Sequence, residues 1–413
     1  MNKDLRQITE CEVCGHRRLS LALDLGSHPL CDDLVPVGDG RTCREYPIEV
    51  LLCEVCLTAH QRFQVPKNEL FPRSYHYRSR FTADVLAGMA DLVASCAMSF
   101  GPLSGKTVLD IGCNDGSLLD LFGRQGARTI GLEPTDAYRE AEQKGHLILN
   151  DFLSGDVART ILAAHGQPDF ITFTNVFAHI EDLPAMLDSI RLLTARHTVI
   201  VIENHYLGAV LDGKQFDTFY HEHARTYSCT SFVQIAKSLG ISMLRLEFPA
   251  RYGGNIRTFL GSGTSEGTMT EIERLTSRER RFPSDFARLR QSVEAWRETK
   301  GRLLRRQVEE SGPLRAKAFP GRAAILVKLL GLTESDVAAV FEKPGSLKIG
   351  HYVPGTRIPI RSDEELFAMR DQTQPILNLA WHIPNEIRSY LARSGYTGHV
   401  IDIVEPTDFT TQN

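Results

Sequence analysis

Between residues 101 and 260, short β-rich runs alternate with helical ones, and this alternation restricts the possible folds more than any other feature. The segments TVLDIG, TIGLEP, HLILND, DFITFTNVF and HTVIVIENH are apolar runs bounded by turn residues, the pattern of parallel strands buried on both faces. SLLDLFGRQG, TDAYREAEQKG, SGDVARTILAAHG and LPAMLDSIRLLTA separate them with helical character. Strand–helix alternation at this spacing predicts an α/β, Rossmann-like doubly wound sheet.

The rest of the chain divides around that core. At 413 residues it is two to three times a typical domain of ~150 residues, so two or three domains are expected. Residues 1–75 are turn-rich and hold most of the informative cysteines. Residues 76–262 comprise a linking helix (FTADVLAGMADLVASCAMSF) and the α/β core; 263–312 are charged and helical; 313–413 carry a second, smaller α/β pattern with RAAILVKLLG, PILNLAW and GHVIDIVEP. Arginines in the helical connection interleave with acidic residues, which reads as a solvated face. Lys plus Arg is 47 and Asp plus Glu 51, a net charge of −4, unlike the basic excess of a nucleic-acid binder. The N-terminus MNKDLRQITE has no apolar signal core, and no run approaches the roughly 20 apolar residues of a membrane span. The expectation is a cytoplasmic protein, preferably a monomer, that takes a small-molecule substrate and neither nucleic acid nor membrane.

Nine cysteines are present, and four lie in two CEVC tetrapeptides: Cys11 and Cys14, then Cys53 and Cys56. A CxxC turn aims two thiolates at one point, and two such turns complete a tetrahedral four-sulfur site for zinc. With every position taken by sulfur, none is open to water, so the metal is structural. A redox CxxC would follow a strand in a βαβ unit, and neither motif does. Cys31 and Cys43 lack knuckle spacing, while Cys96, Cys113 and Cys229 read as small buried residues.

The first core strand ends in DIGCNDG. Gly112 and Gly116 allow a ligand to approach the backbone at the strand's carboxyl end, with Asp110 and Asn114 beside them. The spacing is neither GxGxxG nor a P-loop. Glu133 ends the next strand, 133 − 112 = 21 residues on, where such folds place a carboxylate for ribose hydroxyls. Asp151 and Phe152 follow the third strand, suited to an adenine, and Asn175 follows the fourth. Together these favour S-adenosylmethionine over a nicotinamide dinucleotide.

Five of the fourteen histidines fall between 179 and 223. His179 follows the fourth strand, His205 and Tyr206 the fifth, and then comes DTFYHEH with Tyr220, Glu222 and His223. Loops after the strands carry the chemistry of an open α/β sheet. A histidine with a carboxylate and a tyrosine nearby suits proton abstraction beside a carbonyl. A methyl donor needs an electron-rich acceptor, and a carbon acceptor must first become a carbanion or enolate. Two other readings stay open here: the HEH pair as part of a second metal site, or histidines that only fill the structure.

The chain resembles the sugar C-methyltransferases of deoxysugar biosynthesis, which act on nucleotide-linked 4-keto sugars. The resemblance rests on CEVCG at 11–15, the aromatic pair in SYHYRS, DIGCNDG at 110–116, HI after strand four and YLG at 206–208. It extends through YHEH at 220–223, YGGNIR at 252–257 and YVPGTRIPI at 352–360. It implies a zinc-binding domain, an S-adenosylmethionine-binding core and a C-terminal α/β domain. It also implies that the proton at C3, beside the C4 ketone, is removed and the enolate methylated. By this resemblance His223 is the general base, with Tyr220, Glu222 and His179 orienting it and holding the enolate oxygen. Tyr75 and Tyr77 belong to the loop over the acceptor, and Tyr206 is a further acceptor contact.

The C-terminal part departs from that pattern. Where relatives carry a glycine-rich loop after a strong strand, this chain has LRAKAFPGRAAIL, with Gly321 and then Arg322 as the remaining phosphate-binding candidate. The alternatives to a sugar C-methyltransferase are an O- or N-methyltransferase on a natural-product or sugar scaffold, or an inactive cofactor- and zinc-binding scaffold.

Overall fold

A computed structural model describes residues 5–71, 78–81, 83–263 and 266–409. It forms two compact units, neither a continuous stretch. Met1–Leu21, Leu51–Gly213 and Glu222–Pro283 make the first; Ala22–Val50, Lys214–His221 and Ser284–Asn413 make the second. Residues 22–50, read in sequence as part of the zinc-binding stretch, therefore fall in the second unit. Tyr75 and Tyr77 lie outside the described residues.

The first unit is built on seven strands: β1 (Thr107–Ile111), β2 (Arg128–Leu132), β3 (Leu147–Leu149), β4 (Phe170–Thr174), β5 (Val199–His205), β6 (Ser242–Glu247) and β7 (Asn255–Gly261). Their spatial order is β3-β2-β1-β4-β5-β7-β6. The five apolar runs picked out in the sequence are the five parallel strands. The β6–β7 pair adds to β5 antiparallel. Strand order reverses between β1 and β4, which is where an open α/β sheet leaves a crevice at the strands' carboxyl ends.

Helices cover both faces, and their order along the chain is α1 (Ala83–Phe100), α2 (Ser117–Arg124), α3 (Tyr138–Gln143), α4 (Gly155–His165), α5 (Leu183–Leu193), α6 (Cys229–Leu239) and α7 (Glu266–Glu279). By length and composition α1 could cross a membrane. Here Val85, Met89, Leu92, Val93 and Cys96 are buried against Val108, Phe122, Phe170, Val201 and Phe259, so it works as a core helix. The opposite face packs Ile111, Phe173 and Ile202 against Leu187, Ile190, Phe232 and Ile235. Ser154 and Asp182 cap α4 and α5 by accepting from Val157 and Ala185 N–H, which explains why these helices start where they do.

The second unit holds a five-stranded, all-parallel sheet reached through α8 (Phe282–Ser311). Its strands are β8 (Leu314–Lys317), β9 (Val337–Glu342), β10 (Ile360–Ser362), β11 (Ile376–Asn378) and β12 (Val400–Asp402), in the order β10-β9-β8-β11-β12. RAAILVKLLG folds largely as helix α9 (Ala323–Leu329), with five of its residues buried. Central strand β8 is weak in sequence because it carries a lysine. Lys317 is nevertheless 1% exposed and pairs with buried Asp363 at 3.0 Å, which offsets the cost of its burial.

Candidate active site

The turn after β1 has the geometry of a ligand cradle. Gly112 (φ +71°) and Gly116 (φ +76°) take left-handed conformations that favour glycine. A Cβ on Gly112 would stand 2.7 Å from Val176 Cγ2, and one on Gly116 2.9 Å from Ala141 Cβ. Asn114 (φ +50°) donates its N–H to Glu133 Oε2 at 3.0 Å, which draws the acid at the end of β2 onto the turn. Glu133 Oε1 accepts from Thr135 N–H (2.9 Å) and Oγ1 (2.5 Å), and burial raises its pKa. Asp110 lies within β1, where its Oδ1 accepts from Thr172 Oγ1 at 2.6 Å and burial pushes it to about 7. Asn175 (φ +55°) closes the turn from the β4 side, its N–H on Glu203 O at 2.7 Å and its Oδ1 accepting from Asn255 at 3.2 Å. Asp151 is exposed, and half-buried Phe152 has Lys67 Nζ 4.2 Å above its ring. This cradle of freed backbone, with a buried acid at the next strand, fits a nucleoside cofactor.

The described residues that follow the tyrosine segment are tied to the same turn. Ser79 N–H donates to Asn114 Oδ1 (3.0 Å) and Arg80 N–H to Asp115 Oδ2 (2.9 Å).

Histidines converge beside it. His179 ends a single 3-10 turn (Phe177–His179) after β4, with Phe71 edge-on at 5.2 Å. The His223 ring lies 5.1 Å from His179 and 5.2 Å from His205, so His223 is the middle of a row of three. His205 sits two residues beyond Glu203, which accepts from Arg251, Arg257 and Asn255 and so braces the end of β5. His205 was visible in sequence only as one of a cluster. His221 is turned to another partner, its Nε2 3.0 Å from Tyr46 O, in the second unit. Among the described residues, the only such group with ligand atoms all within 4.8 Å of one another is the four cysteines, so HEH forms no second metal site there.

Two residues expected to contact the acceptor have protein partners here. Tyr206 is 4% exposed in the core and donates its hydroxyl to Glu279 Oε1 at 2.9 Å. Glu279 also accepts from Cys229 and Thr230 N–H, so this pair pins α7 to the start of α6 rather than joining the histidine row. In the second unit, Arg322 lies 3.3 Å from the carboxylate of buried Asp217, donates to Thr218 Oγ1 at 3.0 Å and faces the Trp381 ring at 5.6 Å. A phosphate there would compete with Asp217. Glu222 is buried in the first unit and Tyr220 half-buried in the second.

The cysteines form two knuckles. Gly15 (φ +72°) and Leu57 (φ +56°) take the left-handed position after Cys14 and Cys56, donating back to Cys11 O and Cys53 O. Sulfurs of Cys11 and Cys56 are 3.4 Å apart, and those of Cys14 and Cys53 3.6 Å. Sulfurs of Cys53 and Cys56, with burial, push the Cys11 thiol well up. A soft, closed donor set of this kind fits structural zinc.

Three family models match the chain in succession: a zinc binding domain at residues 11–71, a methyltransferase domain at 76–246 and a C-methyltransferase C-terminal domain at 250–401. The chain is 27% identical to the C-methyltransferase NovU of Streptomyces niveus, with 98% of each covered. Part by part, the chain is similar to C-methyltransferases from its zinc-binding region to its C-terminal domain. It is an S-adenosylmethionine-dependent enzyme with a zinc-binding region. A ubiquinone biosynthesis O-methyltransferase of Rhodopseudomonas palustris is 34% identical over 95 residues, 22% of this chain and 36% of that protein. A crystal structure of magnesium protoporphyrin IX methyltransferase from Synechocystis aligns with 44% of this chain and 84% of that one at 20% identity and a TM-score of 0.36.

His179 gives this methyltransferase a pH signature. Burial holds His179 down to about 4 from 6.5, against the opposing pull of the Asn175 and Glu222 backbone. Because the folded value is depressed, the stability linked to His179 is fully present above 6.5 and is lost as pH falls through 4. At about 1.4 kcal/mol per unit this is on the order of 3 kcal/mol. Urea titrations between these limits are expected to show stability falling with pH, and the His179→Gln variant to show a shallower fall. Equal slopes would mean that His179 is charged in the fold.

Proposed function

We propose that the enzyme methylates carbon next to the ketone of a nucleotide-linked 4-keto sugar, through an enolate generated by His223. The observation that carries this reading is the placement of His223, 5% exposed, between His179 and His205 in the unit that holds the cofactor turn. An imidazole titrates near the working pH, so His223 can take a proton from a carbon acidified by its carbonyl. His179, kept neutral by burial, offers a hydrogen-bonding ring without repelling a protonated His223. Glu222 orients the base, and Tyr220 donates to the enolate oxygen. Tyr77, with Tyr75, closes over the acceptor. In support of this, Ser79 and Arg80, which follow these tyrosines in the chain, bond Asn114 and Asp115 of the cofactor turn. Asp110, Gly112, Asn114, Gly116, Glu133, Asp151, Phe152 and Asn175 form the cofactor side. Bound S-adenosylmethionine supplies an electrophilic methyl group on a sulfonium.

The test uses dTDP-4-keto-6-deoxyglucose in heavy water, followed by proton NMR. Deuterium should enter at a carbon next to the ketone, C3 or C5, with enzyme alone or with the demethylated cofactor, and a methyl on that carbon should appear when S-adenosylmethionine is added. Absence of exchange together with a methyl on oxygen would overturn the reading.

A further inference from the structure

We propose that Asn255 is a positioning residue that holds the Asn175 amide with its N–H groups toward the cofactor crevice, where they take the α-carboxylate of S-adenosylmethionine. The proposal rests on the reading of the turn after β1 as the cofactor side and deepens it. Its ground is a line of three side chains in the first unit, each of which fixes the orientation of the next. The line starts at Glu203, fully buried in β5. Its oxygens receive Arg251 Nε at 2.6 Å and Arg257 Nε at 2.7 Å, so between two guanidinium groups the carboxylate serves as an acceptor. Asn255, equally buried, must turn its nitrogen toward that carboxylate, and its Nδ2 donates to Oε1 at 3.0 Å.

That contact decides the amide at Asn175. The same Asn255 Nδ2 donates its second N–H to Asn175 Oδ1 at 3.2 Å. An amide carries its oxygen and nitrogen on diverging arms, so Asn175 Nδ2 points away from Asn255 with two N–H groups to give. No described residue accepts from it. Asn255 holds this arrangement although its own Oδ1 is buried without a partner among the described residues. A buried polar atom left unpaired costs stability, and the orientation of Asn175 gives a reason for an amide at this place.

Position then selects the cofactor group. The strand order β3-β2-β1-β4 puts Glu133, at the end of β2, on one side of the Gly112 turn and Asn175, directly after β4, on the other. The two strand ends are close: a Cβ on Gly112 would stand 2.7 Å from Cγ2 of Val176, the neighbour of Asn175. With the ribose at Glu133 and the adenine beyond β3, the amino-acid end of the cofactor extends to β4. That end carries an α-ammonium, which only donates, and an α-carboxylate, which only accepts. An amide that shows N–H pairs with the carboxylate, whereas a reversed one would pair with the ammonium.

The test compares two ligands by calorimetric titration: S-adenosylhomocysteine and its decarboxylated analogue, the same molecule without the carboxylate. Asn175→Asp keeps the shape, suits the left-handed backbone (φ +55°) and still accepts from Asn255, but shows the crevice an oxygen in place of N–H. It should bind S-adenosylhomocysteine about tenfold or more weakly, the weight of a hydrogen bond to a charged group, and the analogue within about twofold of wild type. Asn255→Ala frees the Asn175 amide to reverse, and should weaken S-adenosylhomocysteine about threefold or more while sparing the analogue. Asn255→Ser, too short to reach Asn175 yet still able to bond Glu203, gives the same reading if the alanine variant does not fold. A packing role would weaken both ligands in parallel. Parallel loss, unchanged binding of S-adenosylhomocysteine in either position's variant, or a wild-type enzyme that binds the two ligands equally would overturn the proposal. If Glu133→Ala binds both ligands as the wild type does, the reading of the cofactor side fails and takes this proposal with it, an outcome distinct from a failure at Asn175 and Asn255.

Discussion

Replacing His223 by asparagine is expected to lower kcat by about 10²- to 10⁴-fold, the usual contribution of a positioned general base. S-adenosylmethionine should bind this variant about as tightly as the wild type. The reason is topological. The proposed cofactor side is the turn at Gly112–Gly116, Glu133 and the loop after β3, whereas His223 follows a segment beyond β5 and its ring lies beside those of His179 and His205. Asparagine keeps a polar group of similar reach and leaves the neighbouring rings in place. Calorimetric titration with the cofactor and its demethylated product, together with methyl-transfer rates, separates the two effects. Full activity in the variant would remove His223 from the chemistry, and lost cofactor binding would turn the result into one about folding.

Removing the metal should have the largest effect on stability. Structural zinc in small domains contributes roughly 10–16 kcal/mol of apparent binding free energy. The two knuckles here also hold residues that reach well beyond the sulfurs. Glu12, inside the first knuckle, pairs with fully buried Arg225 and lies 3.7 Å from His60, whose Nε2 is 3.3 Å from Cys11 Sγ. Arg225 donates to the Tyr227 hydroxyl at 3.1 Å, and Tyr227 donates to Phe177 O at 3.3 Å, in the 3-10 turn that carries His179. Cys56 O accepts from Ser228 and Ser231, which cap α6. Loosening the knuckles leaves Arg225 as a buried unpaired charge, a loss of about 3–5 kcal/mol by itself. Chelation of the metal, or Cys53→Ser, should therefore lower the melting temperature by about 10 °C or more. Methyl transfer should be lost in the same sample. Metal content by mass spectrometry and thermal melts check this. An unchanged melting temperature after the metal has gone would show that the thiolates do not hold the unit together.

Much of this was legible in the chain itself, for one physical reason: short-range patterns carry it. A parallel strand buried on both faces must be apolar throughout, so β1 to β5 stand out as runs. A CxxC turn places two thiolates by local geometry, and a glycine with positive φ is demanded by the turn that contains it. The five strands, the two knuckles and the turn at Gly112 are all of this kind. Strand β8 escaped because its lysine is neutralised by Asp363, a partner 46 residues away.

What the tertiary structure decided are pairings between distant residues. The Tyr206 hydroxyl meets Glu279, 73 residues on. The Arg322 guanidinium meets Asp217 and Thr218, the latter 104 residues earlier in the chain. His205 was one histidine among five until its ring lay against His223. Residues 22–50 read as one stretch with the knuckles, and their contacts group them with the second unit. The sequence by itself determined which elements form and which chemistry the chain carries, because periodicity and spacing act over a few residues. Which side chain faces which depends on strand register and on the packing of segments far apart in the chain, and only the folded structure sets those.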